Sequence, residues 1–166
     1  MGLIGKVVDA VLLVTFVSMS VVPLLLDFQA LVPESMVPDV LVRLYKWYTI
    51  EHQDYLLLER PAFFMALMKV ELCFTWPLAI INLYGLLTSK PWFKSTCLIF
   101  GSALFTSTTA MVGDMLGSTK PMADKLAMMY SPFIAMGLLA VLRGLVLPST
   151  KASFANGPAS ALKKRA

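Results

Sequence analysis

Charged residues are scarce in this chain. Only 14% of its 166 residues are charged, whereas 58% are hydrophobic, and an ordinary soluble domain carries about 25% charged residues. This composition excludes a soluble globular domain and indicates an integral membrane protein. We expect no nucleic acid among its partners.

Cysteine and histidine are also rare. Cys73 and Cys97 are the two cysteines, and both fall within long apolar stretches, where free thiols behave as small hydrophobic groups. We therefore expect no structural disulfide, and we expect neither a metal site nor a cofactor. The one histidine, His52, lies in a polar loop, and the chain has no Asn-x-Ser/Thr sequon for N-glycosylation.

Long apolar runs make up most of the sequence. About 20 apolar residues in a helix cross the hydrocarbon core of a bilayer, and four segments meet this requirement: residues 7–27, 62–87, 93–115 and 125–147. No small-x-small cleavage site follows the first segment, so we interpret it as a retained span rather than a signal peptide. The predicted fold over residues 1–147 is an all-α membrane protein, a four-transmembrane-helix bundle with an internal ligand pocket.

The first two spans are separated by a loop over residues 32–60. Its middle places apolar side chains with roughly helical spacing, namely Val40, Leu41, Leu44, Trp47 and Tyr48, as is typical of a short amphipathic helix. A structureless loop of this length would be unusual in a compact protein. We expect a helix that lies at the membrane face or forms a lid over the bundle.

Basic residues are unequally divided between the two sides of the membrane. An even number of spans places both termini on one side, which collects eight basic residues: Lys6, Lys90, Lys94, Arg143, Lys151, Lys163, Lys164 and Arg165. The other side carries five, which are Arg43, Lys46, Arg60, Lys120 and Lys125. Because Lys and Arg near the spans are enriched on the cytoplasmic side, we expect both termini to be cytosolic.

The C-terminus carries an address signal in this interpretation. Residues 148–166, rich in Ser, Ala, Gly and Pro, are predicted to be a disordered cytosolic tail. Near the end of the tail, Lys163 and Lys164 occupy the positions of a di-lysine retrieval signal. This signal predicts a multi-pass protein of the endoplasmic reticulum membrane and the continuous nuclear envelope. The coat-protein machinery would retrieve it through the two lysines. Alternatively, the basic tail binds anionic lipid.

Asp27 at the end of the first apolar run and Glu71 near the middle of the second are acidic residues in otherwise apolar stretches. An ionisable group in hydrocarbon is costly and is normally tolerated where it faces a protein-lined cavity and has a partner, so the pair predicts a functional site. Glu71 lies about 15 Å from Pro61 along a helix, near the midplane. Lys69, two residues away, projects from another helix face and does not simply neutralise Glu71. A purely structural role, tying two helices together, is the alternative.

Other features of the spans favour a cavity in the bundle. Pro23, Pro77 and Pro132 are internal prolines, which kink helices and open space between them. The third span carries hydroxyl side chains that would either line a pocket or bond to their own helix, namely Ser102, Thr106, Ser107, Thr108 and Thr109. The spacing of Gly113 and Gly117 is typical of close helix contact.

Most of residues 20–145 resemble the EXPERA family. The resemblance is carried, in order, by Leu26-Asp27-Phe28-Gln29-Ala30, Lys46-Trp47-Tyr48, Asp54, the segment from Glu59 to Phe64, Glu71-Leu72 with Pro77, and Tyr130-Ser131-Pro132-Phe133. It implies a four-helix bundle of the endoplasmic reticulum membrane, often dimeric, with a pocket for sterols and hydrophobic amines. It also implies a receptor role in sterol homeostasis, with a sterol-transport protein as a partner. Because an isomerase-type histidine is absent at Leu67, we expect binding rather than enzymatic activity.

The resemblance also implies roles for individual residues. Asp27 would accept the ammonium group of a ligand, Glu71 would hydrogen-bond to Asp27, and Asp54 would brace the loop over the pocket. Because two neighbouring carboxyl groups in a site of low dielectric constant do not both ionise readily, we expect Glu71 to hold a proton and Asp27 to be the counter-ion. The other residues at pocket-lining positions are Trp47, Phe64, Thr75, Tyr130 and Phe133.

Two other functions stay open at this stage. Isomerases of the family, which convert Δ8 to Δ7 sterols by proton transfer, present a histidine one turn before the glutamate of the second span, where this chain has Leu67. Leu67 and Lys69 are also departures from the residues expected toward the pocket, and Phe133 lacks a tyrosine hydroxyl. A small proton-coupled transporter is the other alternative, since acidic residues in spans also form proton relays, although the chain shows no inverted repeat.

Overall fold

The structure is a computed structural model, and it describes residues 3–145. Four helical segments are long and apolar enough to cross a membrane: Leu3–Leu31, Ala62–Leu87, Phe93–Gly117 and Ala123–Leu145. The predicted all-α, four-span architecture is confirmed. Lys163, Lys164 and the rest of the tail predicted to be disordered lie outside the described residues.

The described residues form eight α-helices, which are α1 (Leu3–Leu25), α2 (Asp27–Leu31), α3 (Asp39–His52), α4 (Tyr55–Glu59), α5 (Ala62–Val70), α6 (Trp76–Leu87), α7 (Phe93–Gly117) and α8 (Ala123–Leu145). A 3₁₀ turn, Glu34–Met36, lies between α2 and α3. A single π-helical turn, Glu71–Thr75, joins α5 and α6 into one span. The segment between the first two spans is therefore largely helical.

Short turns connect the last three spans and make them antiparallel. α6 ends at Leu87 and α7 begins at Phe93, while α7 ends at Gly117 and α8 begins at Ala123. Each turn contains a proline, which cannot donate a helical hydrogen bond. We call the end that carries α3, α4 and the α7–α8 turn the lid end, and the opposite end the base.

α7 and α8 form the closest helix pair because glycine removes the side chains between them. A Cβ atom built on Gly101 would lie 2.7 Å from the carbonyl oxygen of Gly137, and one built on Gly137 would lie 2.7 Å from the backbone nitrogen of Phe105. By contrast, no atom lies within 4 Å of such a Cβ on Gly113 or Gly117. The prediction of close contact at Gly113 and Gly117 is wrong, since these glycines face away from neighbouring helices.

The buried side chains form two clusters. Near the base, the ring of Phe16 packs edge-on against Phe93 and Phe100, with ring centroids 6.1 and 5.1 Å away. Near the lid end, α4 supplies Leu56 and Leu57 to the second cluster, which also contains residues from the last three spans. Side chains of both clusters line a cavity between them.

An ion pair ties α1 to α8 at the base. The Arg143 Nε donates to Asp9 Oδ1 over 2.7 Å, and the Nη2 donates to Oδ2 over 3.5 Å. The guanidinium also lies 5.5 Å from the centre of the Phe93 ring. Arg143 is buried, so this basic residue of the termini side is compensated within the bundle.

Candidate functional site

The cavity between the two clusters is the candidate site. It has a volume of about 240 Å³. Its wall draws on all four spans and on the lid helices α3 and α4: Met19, Val22, Leu26, Asp27, Tyr48, Leu57, Met68, Glu71, Leu104, Ser107, Thr108, Met111, Met129, Tyr130 and Phe133. The wall is mainly apolar, as in most small-molecule sites, with a few convergent polar groups.

A break in the first span places Asp27. α1 ends at Leu25, and Leu26, with φ −118° and ψ −56°, precedes α2, which begins at Asp27. Gln29 in α2 donates from Nε2 to the carbonyl oxygen of Leu41 over 3.0 Å and so attaches this segment to the lid helix α3. Asp27 therefore lies at the junction of the first span and the lid.

A π-helical turn places Glu71. The N–H of Trp76 donates to the carbonyl oxygen of Glu71, five residues earlier, and the next residue, Pro77, has no N–H to donate. π turns inside α-helices are frequent at functional sites. Glu71 is the first residue of this turn and lines the cavity.

The two cavity carboxyl groups have no hydrogen-bond partner among residues 3–145. All side-chain oxygens and nitrogens that are fully enclosed in this part of the chain have a partner, so the unbonded oxygens of Asp27 and Glu71 border open space. The expected hydrogen bond between them is not formed. Among the described residues, no Lys, Arg or His lines the cavity, and Lys69 is exposed on the outer surface of the bundle.

Asp54 holds the lid without lining the cavity. The Tyr130 hydroxyl donates to Asp54 Oδ2 over 2.9 Å, and the Tyr48 hydroxyl is 3.5 Å from the same oxygen. Oδ1 accepts from the backbone N–H groups of Leu56 and Leu57 and caps α4. Burial raises the pKa of Asp54 despite these hydrogen bonds, and burial together with the Asp54 charge raises the pKa of Tyr48.

Four of the predicted ligand-binding residues line the cavity, namely Asp27, Glu71, Tyr130 and Phe133. The other three do not. Trp47 is 59% exposed on the outer face of α3, and Phe64 is buried in the lid-end cluster. Thr75 is buried one turn beyond Glu71 and does not belong to the cavity wall.

Sequence reasoning missed several residues of the wall. The inner face of α3 contributes Tyr48, and α7 contributes Ser107 and Thr108 from the hydroxyl-rich stretch for which two interpretations stayed open. Helical spacing offered a signal, because Leu104, Thr108 and Met111 follow the i, i+4, i+7 pattern of one helix face. The remaining missed side chains are Met19, Val22, Leu26, Leu57, Met68 and Met129.

The positions that bear on isomerase chemistry also lie outside the wall. Leu67 packs against the lid-end cluster and does not line the cavity. His52 lies at the end of α3, where its ring centre is 4.8 Å from that of Tyr48. The expectation that Leu67 and Lys69 face the pocket is therefore wrong. The described residues contain no group of three or more His, Cys, Asp or Glu side chains arranged to hold a metal ion.

Comparison with known families identifies the fold. The model of the expanded EBP superfamily, EXPERA, matches residues 40–144, which covers the lid helices and the last three spans.

The chain belongs to the EXPERA family. Among curated members, it is 24% identical to the sigma intracellular receptor 2 of Xenopus tropicalis over 89% of this chain and 94% of that protein. It is 30% identical to the receptor of the same name in Macaca fascicularis, over 67% of this chain and 64% of that protein. The human receptor is 31% identical, over 61% and 58%. The expected family is confirmed, and these relatives are named as receptors rather than as enzymes.

Proposed function

We propose that this EXPERA protein is a membrane receptor that binds hydrophobic amines and sterols in its cavity. The observation that carries the proposal is the acidic character of the cavity wall. Asp27 and Glu71 border the cavity without a partner among residues 3–145, and no Lys, Arg or His of those residues lines it. Carboxylates in an apolar site require a compensating charge. A ligand with an ammonium group and an apolar body supplies the charge and fits the wall.

Asp27 acts as the counter-ion in this proposal, and Glu71 is the second, deeper polar group. Tyr48, Tyr130 and Phe133 belong to the same wall, and aromatic rings attract cations with about 0.5–2 kcal/mol, more in dry sites than in exposed ones. The amine would therefore be held by charge and by ring faces. The methionines of the wall adapt to apolar substituents of different shape.

The size of the cavity bears on the ligand. Its volume of about 240 Å³ is slightly below the roughly 300–1,000 Å³ of typical ligand pockets. A compact amine fits this volume without rearrangement. A sterol requires that the lid or the spans move apart, so we expect slower association for sterols than for small amines.

Equilibrium binding of a radiolabelled hydrophobic tertiary amine to the purified protein tests the proposal. Charge-assisted hydrogen bonds contribute about 1.5–3 kcal/mol, so Asp27→Asn should lower affinity roughly tenfold to a hundredfold, and Glu71→Gln should lower it less. Glu51→Gln, which alters an exposed carboxyl on α3, is the matched control and should bind as the wild type does. If folded Asp27→Asn binds as tightly as the wild type, the counter-ion role is wrong.

Sterol isomerisation is the second candidate, because one carboxyl group can donate a proton to a substrate while a second one removes a proton. The cavity wall lacks histidine, and Leu67 stands at the position where family isomerases carry one. Expression of this chain in cells that lack a sterol isomerase separates the two functions. Restored Δ7 sterols would establish the enzyme and overturn the receptor proposal.

We also propose that the protein resides in the endoplasmic reticulum membrane with both termini cytosolic. In the sequence, the side of the termini carries eight basic residues and the lid side five, and this difference supports a cytosolic base. Four of the eight, Lys151, Lys163, Lys164 and Arg165, lie outside the described residues.

The location has its own test. Replacing Lys163 and Lys164 by Ser should release the protein to later compartments if coat proteins retrieve it, and unchanged retention would contradict the signal. A homodimer and a complex with a sterol-transport protein are further proposals, which cross-linking in native membranes would detect.

A further inference from the structure

The side chain of Thr108 on α7 differs from the neighbouring hydroxyl side chains because it is both buried and without a hydrogen-bond partner among residues 3–145. Thr106 also has no such partner, but it is exposed. Ser102, Ser107 and Thr109 each donate to the carbonyl oxygen four residues earlier, over 2.9, 2.9 and 2.6 Å, which is the usual solution for Ser and Thr in apolar helices. Thr108 is only 3% exposed, yet its side chain makes no hydrogen bond within residues 3–145. The Thr108 residue is therefore largely buried, and its hydroxyl has no partner among the described residues.

This hydroxyl borders the cavity. Leu104 and Met111, one turn to either side of Thr108 on the same face of α7, also line the cavity. Because no fully enclosed polar side-chain atom of the described residues lacks a partner, the Thr108 oxygen must contact open space, and the cavity is the space that Thr108 lines. The other hydroxyls of the wall are already engaged, those of Tyr48 and Tyr130 by Asp54 and that of Ser107 by its own helix.

Thr108 and Glu71 lie at the same depth. Thr108 is nine residues before the end of α7 at Gly117, and Glu71 is nine residues after the start of α5 at Ala62, so each is about 14 Å from the lid end of its span. The π turn that begins at Glu71 packs against α7. Asp27 is only four residues from the lid end of the first span, so the cavity has polar groups at two levels.

We propose that Thr108 determines ligand specificity by donating a hydrogen bond to a neutral oxygen atom of the ligand. The inference rests on the proposed function and narrows it to amines that carry an ether, carbonyl or hydroxyl oxygen on the side of the molecule away from the ammonium group. A buried hydroxyl without a partner costs free energy, so a site that contains one discriminates against ligands that leave it unpaired. The ammonium group binds at Asp27, and the oxygen binds at the level of Thr108 and Glu71.

A matched pair of probes tests this inference. One probe is a phenoxyalkyl piperidine, and the other is its analogue with CH₂ in place of the ether oxygen, each prepared with short, medium and long alkyl spacers. The wild type should prefer the ether at one spacer length. Thr108→Val removes the hydroxyl at nearly constant shape, and it should lower affinity for that ether about fivefold, the effect of one net hydrogen bond. Affinity for the CH₂ probe should not fall.

Thr108→Ser is the control that retains the hydroxyl, and it should keep the preference for the ether. Equal thermal unfolding of the wild type and both variants establishes that they fold alike. If Thr108→Val keeps the ether preference, or loses affinity equally for both probes, Thr108 does not set specificity, although the proposed function stands. If the wild type binds no probe at all, the proposed function fails, and this inference fails with it.

Discussion

Tyr130 of α8 donates a hydrogen bond to Asp54 over 2.9 Å, and this bond joins the fourth span to the segment that covers the cavity. Asp54 also approaches Tyr48 of α3 and caps α4. Asp54 itself does not line the cavity, but its carboxyl group positions the rings of Tyr48 and Tyr130, which do line it. The lid and the cavity wall are consequently a single hydrogen-bonded unit.

Asp54→Ala should destabilise the protein and weaken amine binding together. Loss of a helix cap costs about 0.5–2 kcal/mol, and the buried hydroxyls of Tyr48 and Tyr130 also lose their acceptor, at about 1–3 kcal/mol for each group left unsatisfied. Thermal unfolding in detergent and equilibrium amine binding measure the two effects. Asp54→Asn, which keeps one acceptor oxygen, should be affected less, and unchanged stability and affinity in Asp54→Ala would contradict the bracing role.

The raised pKa of Asp54 makes its contribution to stability depend on pH. Burial causes the shift, so the folded protein retains this proton at pH values where the unfolded chain has lost it. The contribution of Asp54 to the free energy of unfolding should therefore fall as pH rises from about 4, the ordinary carboxyl pKa, through the raised pKa. The measured quantity is the wild-type free energy of unfolding minus that of Asp54→Asn, from about pH 4 to about pH 7. If this difference stays constant or grows with pH, burial is not the main influence on the pKa of Asp54.

The ion pair at the base should contribute to stability but not to amine binding. Asp9→Asn leaves the guanidinium of Arg143 buried without its counter-ion, and removing one partner of a buried pair costs about 3 kcal/mol or more. Asp9→Leu combined with Arg143→Met removes both charges and should recover much of the loss, as thermal unfolding would show. If Asp9→Asn unfolds like the wild type, the pair does not tie α1 to α8.

Alanine substitutions at Gly137 and Gly113 should have different effects on stability, because Gly137 lies in the α7–α8 contact and Gly113 does not. Gly137→Ala places a Cβ atom against the backbone of Phe105, and overpacking of this kind costs about 1–3 kcal/mol. Gly113→Ala is the matched control within the membrane, since its Cβ meets no atom within 4 Å, and it should be neutral or slightly stabilising. Equal effects of the two substitutions on thermal unfolding would contradict the observed α7–α8 packing.

The sequence predicted the features that follow from the cost of placing polar groups in a bilayer, because this cost does not depend on how the helices pack. Four apolar runs predicted four spans, and the cost of carboxyl groups in hydrocarbon singled out Asp27 and Glu71, both of which line the cavity. The orientation of ordinary apolar side chains was harder to predict. Every face of a span is apolar, so the sequence does not distinguish lipid from protein as a neighbour.

The lid illustrates the same difficulty. α3 has apolar side chains on two faces: Tyr48 points toward the cavity, whereas Trp47, one residue earlier, lies on the exposed outer face. Adjacent residues of a helix point about 100° apart, and amphipathic spacing alone did not tell which face was the inner one. Thr108 was likewise indistinguishable from the neighbouring hydroxyls until its hydrogen bonding and burial were known.

Recognition of charge by Asp27 is tested most directly by binding a hydrophobic tertiary amine and its neutral isostere, in which a C–H group replaces the nitrogen, to the wild type and to Asp27→Asn. Both proteins are compared at a pH where the amine is protonated, with folding verified by thermal unfolding. The wild type should prefer the amine by about tenfold or more, and Asp27→Asn should lose this preference. The same preference in both proteins would contradict the assignment of Asp27 as the counter-ion.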